Sequence, residues 1–424
     1  MDRLKHIFVT LLLITIFISC TEPYALQTNT FEDVIVVEAT ITNEFKKQEI
    51  KLSRSYRLED NGPDFEAGAT VFVKDDLGNQ YNFEENDGKY ISTSEFEAIA
   101  GRNYQLHITT NDGKSYTSSN EKLTTVSPLQ ELIPEVVVKD GVKGVQIVAK
   151  SFDPSSTAKY YRYEYEETYK IIAPKWTYLR ANALVFSPPR TGAGVVTGYV
   201  ELIPRTEEAR VCYTSKTSKN IILTNTSNLS EDRVILPTRF ISSKDYIIMN
   251  RYSILVKQYV ENLASYTYHQ TLKKLSNSDS TLSQNQPGFI TSNVVSTSNL
   301  KEKVLGYFSV NSYSEKRVFF NFQDIFPSEA IPLYPYDCPD PIPGDRENEF
   351  YFKYCFDPAP DCAAVNILDL LMKRKSVYYS GYPGIGTIPS GGLGGPAPTL
   401  LLYPIQCGDC TSFSNNIKPI FWID

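Results

Sequence analysis

Histidine is scarce in this chain of 424 residues: there are three, and His6 lies in a leader-like N-terminus. The other two, His107 and His269, fall in a strand-like and a helix-like stretch. Neither is accompanied by a nucleophile elbow or a His-Glu-X-X-His pattern, so the hydrolase chemistries built on those motifs have no carrier. Long apolar runs are missing too. Beyond the first 20 residues no stretch approaches the roughly 20 apolar residues that a hydrocarbon core requires, and no transmembrane helix is expected. Basic blocks are absent and the formal net charge is −7, which argues against nucleic acid and against electrostatic binding to anionic lipid. Only three Met and two Trp stand against 29 Tyr, a balance that suits β-sheet with partly wet faces.

What is present begins at the first residue. Arg3 and Lys5 precede an apolar run over residues 7–18 broken only by Thr10 and Thr15, the pattern of a signal peptide. The run ends in Phe17-Ile18-Ser19-Cys20, which resembles a lipobox, with Phe17 where leucine is usual. Residues 1–19 are therefore expected to be removed and Cys20 to carry lipid as the new N-terminus; an ordinary signal peptide with a coincident cysteine is the alternative. Losing Arg3, Lys5 and Asp2 takes the net charge from −7 to −8. Each methylene of the anchor buried in a bilayer adds about 0.8 kcal/mol. Residues 20–30 read as a lipidated, flexible tether.

Six cysteines follow: Cys212, Cys338, Cys355, Cys362, Cys407 and Cys410. An even number in an exported chain suggests disulfides, and the crowding of five of them into 338–424 suggests a stapled region. Cys407 or Cys410 is expected to pair with Cys355 or Cys362, the state of Cys212 being open. The Cys407-Gly408-Asp409-Cys410 motif also admits a redox or zinc reading. A redox pair wants a helix N-terminus to stabilise its thiolate, whereas this motif follows the strand-like residues 400–404. Zinc wants a second pair at short spacing, and six residues separate Cys355 from Cys362.

The remaining pattern is mainly β. Residues 34–41, 49–53 and 69–73 are β-branched runs, and Asp75 to Asn79, Asn86-Asp87-Gly88 and Asp112-Gly113 supply turns between strands. Residues 31–126 are expected to form an immunoglobulin-like β-sandwich. A boundary near Pro128 to Pro134 then opens a larger β-rich domain over 135–424, with one or two short helices. Within it Tyr161, Tyr163 and Tyr165 alternate with Arg162, Glu164 and Glu166, which puts the tyrosines on one face of a strand and the charges on the other. Such a face is either packed against a second sheet, with the charges in water, or a platform for a ligand. Residues 172–211 interrupt the strands with Pro174, Pro188-Pro189 and Gly192-Ala193-Gly194, and as a long insertion they are the better binding candidate, with Trp176 as anchor. Ala264, Tyr268, Leu272 and Leu275 fall at helical spacing with Lys273 and Lys274 at the C-terminal end. Asp361 is placed to cap a second helix reaching Met372. Residues 381–398 are a Gly/Pro-rich loop.

Val37 to Asn43, Gly68 to Val71, Tyr160 to Tyr169, Cys212-Tyr213, Arg251 to Tyr259, Gln286-Pro287-Gly288, Val304 to Phe308 and the ending Cys407 to Trp422 together resemble the family called domain of unknown function 4249. The family more often shows Cys followed by Trp, and Asp-Phe-Trp where this chain has Ile420-Phe421-Trp422. The resemblance implies an outer-membrane lipoprotein whose gene commonly lies beside that of a TonB-dependent transporter. It implies no activity, cofactor or catalytic residue. The expectation is an accessory binding module for such a transporter, lipid-anchored to the outer membrane and facing the cell surface, the acidic Glu22 beside the anchor pointing that way. The alternatives are a hydrolase on the same scaffold, for which Glu164, Glu166 and Glu167 would have to supply paired acids, or a structural component of the envelope.

Overall fold

A computed structural model describes residues 33–56, 62–185, 198–276, 290, 292–340, 351–353, 367–382 and 399–424. The signal peptide, Cys20 and the tether lie outside the described residues. In chain order the first elements are β1 (Ile35–Thr42), β2 (Glu49–Arg54), β3 (Thr70–Asp75), β4 (Gln80–Asn86), β5 (Lys89–Ser92), β6 (Asn103–Thr109), β7 (Ser115–Ser118) and β8 (Glu121–Lys122). There follow β9 (Glu131–Lys139), β10 (Val142–Asp153), β11 (Tyr160–Ile172), β12 (Leu179–Val185), β13 (Gly198–Pro204), β14 (Val211–Thr217), β15 (Ile222–Asn225), β16 (Asp232–Ser242) and β17 (Arg251–Glu261). The chain continues through α1 (Leu263–Ser276), β18 (Val294–Ser296), β19 (Val304–Asn321) and α2 (Phe322–Ile325). It ends with β20 (Tyr351–Lys353), α3 (Ile367–Met372), β21 (Ser376–Tyr382), β22 (Thr399–Pro404) and α4 (Ile405–Gly408). The protein is mainly β, as its composition requires.

The N-terminal strands form where alternation and turn chemistry place them. Asp87 and Gly88 take positive φ angles of 47° and 72° between β4 and β5, the conformation a two-residue hairpin demands. Alternate residues of β1, β3 and β6 point into one core containing Val37, Ile41, Val71, Val73, Leu106 and Ile108. The unit is not completed within residues 31–126, however. β18 pairs with β7, and the first half of β19 pairs in parallel with β1. The Asn293 side chain then bonds both the Phe308 carbonyl and the Phe308 N–H at 2.8 Å, tying β18 to β19. The hydrogen-bonded path β19-β1-β2-β5-β4-β3-β6-β7-β18 is thus continuous and turns back on itself, where separate sheets were expected.

Two sheets packed face to face occur in the next unit instead. β14, β11, β17 and the second half of β19 form one sheet, with β15 also on β11, and β16, β10 and β9 form the other. Pro134 and Pro237 both sit on the outer strands of the smaller sheet, where the missing N–H breaks no central ladder. Val145, Ile147 and Ala149 from this sheet meet Tyr161, Tyr163, Ile254 and Val256 from the other in a single core. The tyrosine face is therefore the packed one.

The opposite face of β11 corrects an expectation. Arg162 is buried, its Nε donating to the Glu261 carboxylate at 2.8 Å and its guanidinium lying 4.1 Å from the centre of the Tyr259 ring. His269 of α1 reaches the same carboxylate at 2.9 Å, and Tyr266 of α1 packs on Tyr160 at 5.0 Å. The helix and its neighbours cover Arg162, which alternation alone assigned to water, while Glu164 and Glu166 stay partly exposed. A buried carboxylate needs such partners, because desolvation otherwise drives it neutral. Here burial pushes the Glu261 pKa up, and the bonds and charges of His269 and Arg162 more than offset it, so that it lies below the ordinary value.

The turn from β10 to β11 is held by Asp153. Its carboxylate accepts from the Ser155 N–H, the Thr157 N–H and the Ala158 N–H, each at 2.9 Å, and from the Ser155 hydroxyl at 2.6 Å. Burial raises the Asp153 pKa, but these bonds outweigh it and bring it to about 2. A folded-state pKa below the unfolded value of roughly 3.9 means that the group stabilises the fold above that pH and ceases to do so as pH falls through about 2. Asp153→Asn is expected to be less stable than wild type at pH 5, with the gap closing toward pH 2 in denaturant unfolding. A gap independent of pH would contradict this role.

The insertion and the cysteine-rich region build a third unit together. The β12–β13 hairpin packs through Leu179, Ala181, Val200 and Leu202 on Tyr378, Leu400 and Leu402 of the sheet β20-β22-β21. The interruption read at 172–211 thus contains a pair of antiparallel strands that needs the C-terminal region to bury its apolar face. Residues 186–197, which include Pro188-Pro189 and Gly192-Ala193-Gly194, lie outside the described residues, as do Asp361, 383–398 and Gln286-Pro287-Gly288.

Candidate functional site

The cysteines pair differently from expectation. Cys212 is bonded to Cys410 and Cys338 to Cys407, while Cys355 and Cys362 lie outside the described residues. Both cysteines of the Cys407-Gly408-Asp409-Cys410 motif are therefore consumed separately, and a redox pair within the motif is ruled out in this structure. The reason lies in packing between distant segments: β14 of the second unit brings Cys212 beside Cys410 in the inter-sheet core, and the chain before residue 341 brings Cys338 beside Cys407. Neither neighbour is close in sequence.

The proposed ligand contacts are also placed. Tyr161 and Tyr163 are completely buried, their hydroxyls donating to Asp232 at 2.9 Å and to Gln258 at 2.8 Å, and burial raises both pKa values well above 10. Tyr165 packs partly buried against the same core. As residues of the inter-sheet core, Tyr161 and Tyr163 present no platform to a ligand. Trp176 is half-buried against that core, with the Arg210 guanidinium 5.8 Å from its ring centre, so it joins the third unit to the second. Its indole N–H is buried without a partner among the described residues.

Among the described residues the acids and histidines singled out in the sequence lie apart from one another. Glu167 turns inward to Arg239 and to the Tyr252 hydroxyl, the latter at 2.7 Å, whereas Glu164 lies on the opposite face near Arg162. His107 stacks on Phe72 at 4.8 Å, and burial followed by the charge of Lys74 lowers its pKa. His269 Nδ1 is engaged by Glu261, and among the described residues no hydroxyl or thiol bonds its other nitrogen. No group of three or more His, Cys, Asp or Glu suited to a metal occurs among the described residues.

What the structure does gather is a polar cleft of about 410 Å³ in the third unit, with Arg180, Arg205, Arg374, Gln406, Asp409 and Ser412 in its wall. Arg180 is on β12, and Arg205 follows β13 immediately, its N–H donating to the Tyr178 carbonyl at 2.8 Å. Arg374 stands in the turn after α3 at a φ of 53°, bonded through its N–H to the Leu371 carbonyl at 3.1 Å. Gln406 to Ser412 are fixed by the two disulfides at Cys407 and Cys410. The Arg205 side chain is only 9% exposed, with Nη1 3.4 Å from an Asp409 oxygen, and its Nε is buried with no partner.

Of the three carboxylates that line the cleft, Asp409 and Glu208 are engaged and Glu207 is exposed. Asp409 accepts from the Thr411 N–H at 3.0 Å and the Thr411 hydroxyl at 2.5 Å, besides Arg205. One Glu208 oxygen accepts from the N–H groups of Arg210 and Val211 at 2.6 and 3.0 Å. Arg180 and Arg374 have no carboxylate partner among the described residues. No signal in the sequence pointed to these three arginines, because 25 residues separate the first two in number and 169 the last two. Pairing of β12 with β13 and the packing of α3 on them bring the three to one cleft.

A mainly β protein whose described residues include two disulfides and a cleft lined by charged and polar groups is the class these features define. The chain belongs to the family described as Domain of unknown function (DUF4249), whose model matches residues 21–317. The match ends inside β19, so the C-terminal half of the stapled unit lies beyond it. No curated protein matches the chain. Among solved structures, "Biofilm associated protein - BSP domain" is similar at 9% identity and a TM-score of 0.11, over 67% of this chain and 58% of its own length. That likeness is too slight to carry a fold or an activity.

Proposed function

We propose that this protein is an outer-membrane lipoprotein, anchored through Cys20 and facing the cell surface, that docks on a TonB-dependent transporter and helps it to capture or retain a solute. The observation that carries the reading is the N-terminal pattern ending in Phe17-Ile18-Ser19-Cys20, joined to membership of a family whose resemblance implies such a partner. Two disulfides suit a protein that folds in an oxidising compartment. A mildly acidic surface without basic blocks suits a protein partner better than anionic lipid.

The test is a pull-down of the C-terminally tagged, full-length protein from gently solubilised outer membranes, with the co-purifying proteins identified by mass spectrometry. A TonB-dependent barrel recovered in stoichiometric amount is the expected result. Recovery of the lipoprotein alone would overturn the accessory role. Protease added to intact cells is expected to cut the protein; protection until lysis would place it on the periplasmic side.

A further inference from the structure

We infer that the cleft between the β12–β13 hairpin, the turn after α3 and the disulfide-fixed segment 406–412 is a binding site for a small polyvalent oxyanion, its acidic groups being carboxylates or phosphates. The inference stands apart from the transporter reading, since it concerns the chemistry of the cleft and not its address.

Two of the three arginines that line the cleft have no carboxylate partner among the described residues. Three arginines, each with five N–H donors in a planar fork, line the cleft together with Glu207, Glu208 and Asp409. Among the described residues Asp409 is the only carboxylate paired to any of them and is bound to Arg205 and to Thr411, one Glu208 oxygen is taken up by backbone amides, and Glu207 is exposed. Arg180 and Arg374 are exposed and uncommitted among the described residues, while Arg205 is nine-tenths buried with its Nε facing no acceptor. A buried donor without a partner costs free energy, and a guanidinium lacking one is among the more costly. An oxyanion in the cleft lies beside the exposed Arg180 and Arg374 and in the field of the buried Arg205 charge. Arginine suits this role because it meets carboxylate and phosphate oxygens with paired, charge-assisted bonds.

Size and rigidity fit the same ligand. A volume of about 410 Å³ is at the small end of ligand sites, enough for a compact metabolite and too little for a folded partner. Cys407 and Cys410 flank the lining residues Asp409 and Gln406, and each is fixed to a different part of the chain, so the wall is held in place before any ligand arrives. Preorganisation of this kind lowers the entropy that binding must overcome.

The experiment is calorimetric titration of the detergent-solubilised, full-length protein at low ionic strength with citrate and, separately, with pyrophosphate. Saturable binding of at least one is expected, weakened by about ten-fold or more in Arg180→Ala and in Arg374→Ala, and weakened again by added salt. Both arginines are exposed, so these variants should melt like wild type, and Glu207→Ala at the rim should bind no less tightly. Citrate alone would assign carboxylates, pyrophosphate alone would assign phosphates, and both would assign charge as the selector. Absence of binding by either at millimolar concentration overturns the inference, as does binding that neither Arg180→Ala nor Arg374→Ala weakens.

Discussion

Gly306→Ala is expected to destabilise the protein by more than about 3 kcal/mol, or to prevent folding altogether. Gly306 lies opposite Val37 in the parallel pairing of β19 with β1, at a φ of +101°. A Cβ built there would stand 1.9 Å from the Val37 carbonyl oxygen and 2.5 Å from its nitrogen, both backbone atoms that cannot turn aside. Strand separation would have to absorb the clash. Because β19 pairs with β1 through its first half and with β17 through its second, the damage falls on the one strand that two units share. Gly113→Ala is the control: its φ is also positive, at 84°, but nothing lies within 4 Å of the added methyl. Only the backbone cost of roughly 1 kcal/mol is expected there. Denaturant unfolding of the two variants beside wild type separates clash from strain, and equal losses would contradict the close approach.

Removing the Cys212–Cys410 bond is expected to lower stability by about 4–5 kcal/mol, because it closes a loop with a sequence separation of 198. The Cys338–Cys407 bond, with a separation of 69, is nested inside it, so the two contributions should not add. Cys410 is also completely buried against the inter-sheet core, so Cys212→Ala with Cys410→Ala loses packing as well as a cross-link. The thermal midpoint of this double variant should fall well below that of wild type, and a reductant should lower the wild-type midpoint toward it. An unchanged midpoint in reductant would show that the bond contributes little.

The parts of this fold that were legible in the sequence are those set by neighbouring residues. The strand read at 34–41 is β1 at 35–42, and the glycines at 78, 88 and 113 all take positive φ in the turns where they were placed. The helix read from Ala264 to Leu275 is α1, with Lys273 and Lys274 in its last turn. What escaped depends on distant pairing. A lone Cys212 gives no hint of a partner nearly 200 residues away. Period-two alternation in β11 distinguishes two faces but cannot say that α1 will cover the charged one. The return of β18 and β19 to the N-terminal unit breaks the rule of thumb that a domain is contiguous, and nothing local announces it. The arginine cleft was invisible for the same reason: its wall is assembled from a hairpin, a turn and a cross-linked segment that meet only in the folded third unit.

The most direct measurement is mass spectrometry of the protein purified from membranes without reductant and digested with its cross-links intact. The account predicts an N-terminal peptide that begins at Cys20 and carries the mass of a lipid anchor, together with linked peptides joining Cys212 to Cys410 and Cys338 to Cys407. An intact leader with free thiols at those four positions would contradict it, since a chain so found would have neither been anchored nor folded where disulfides form.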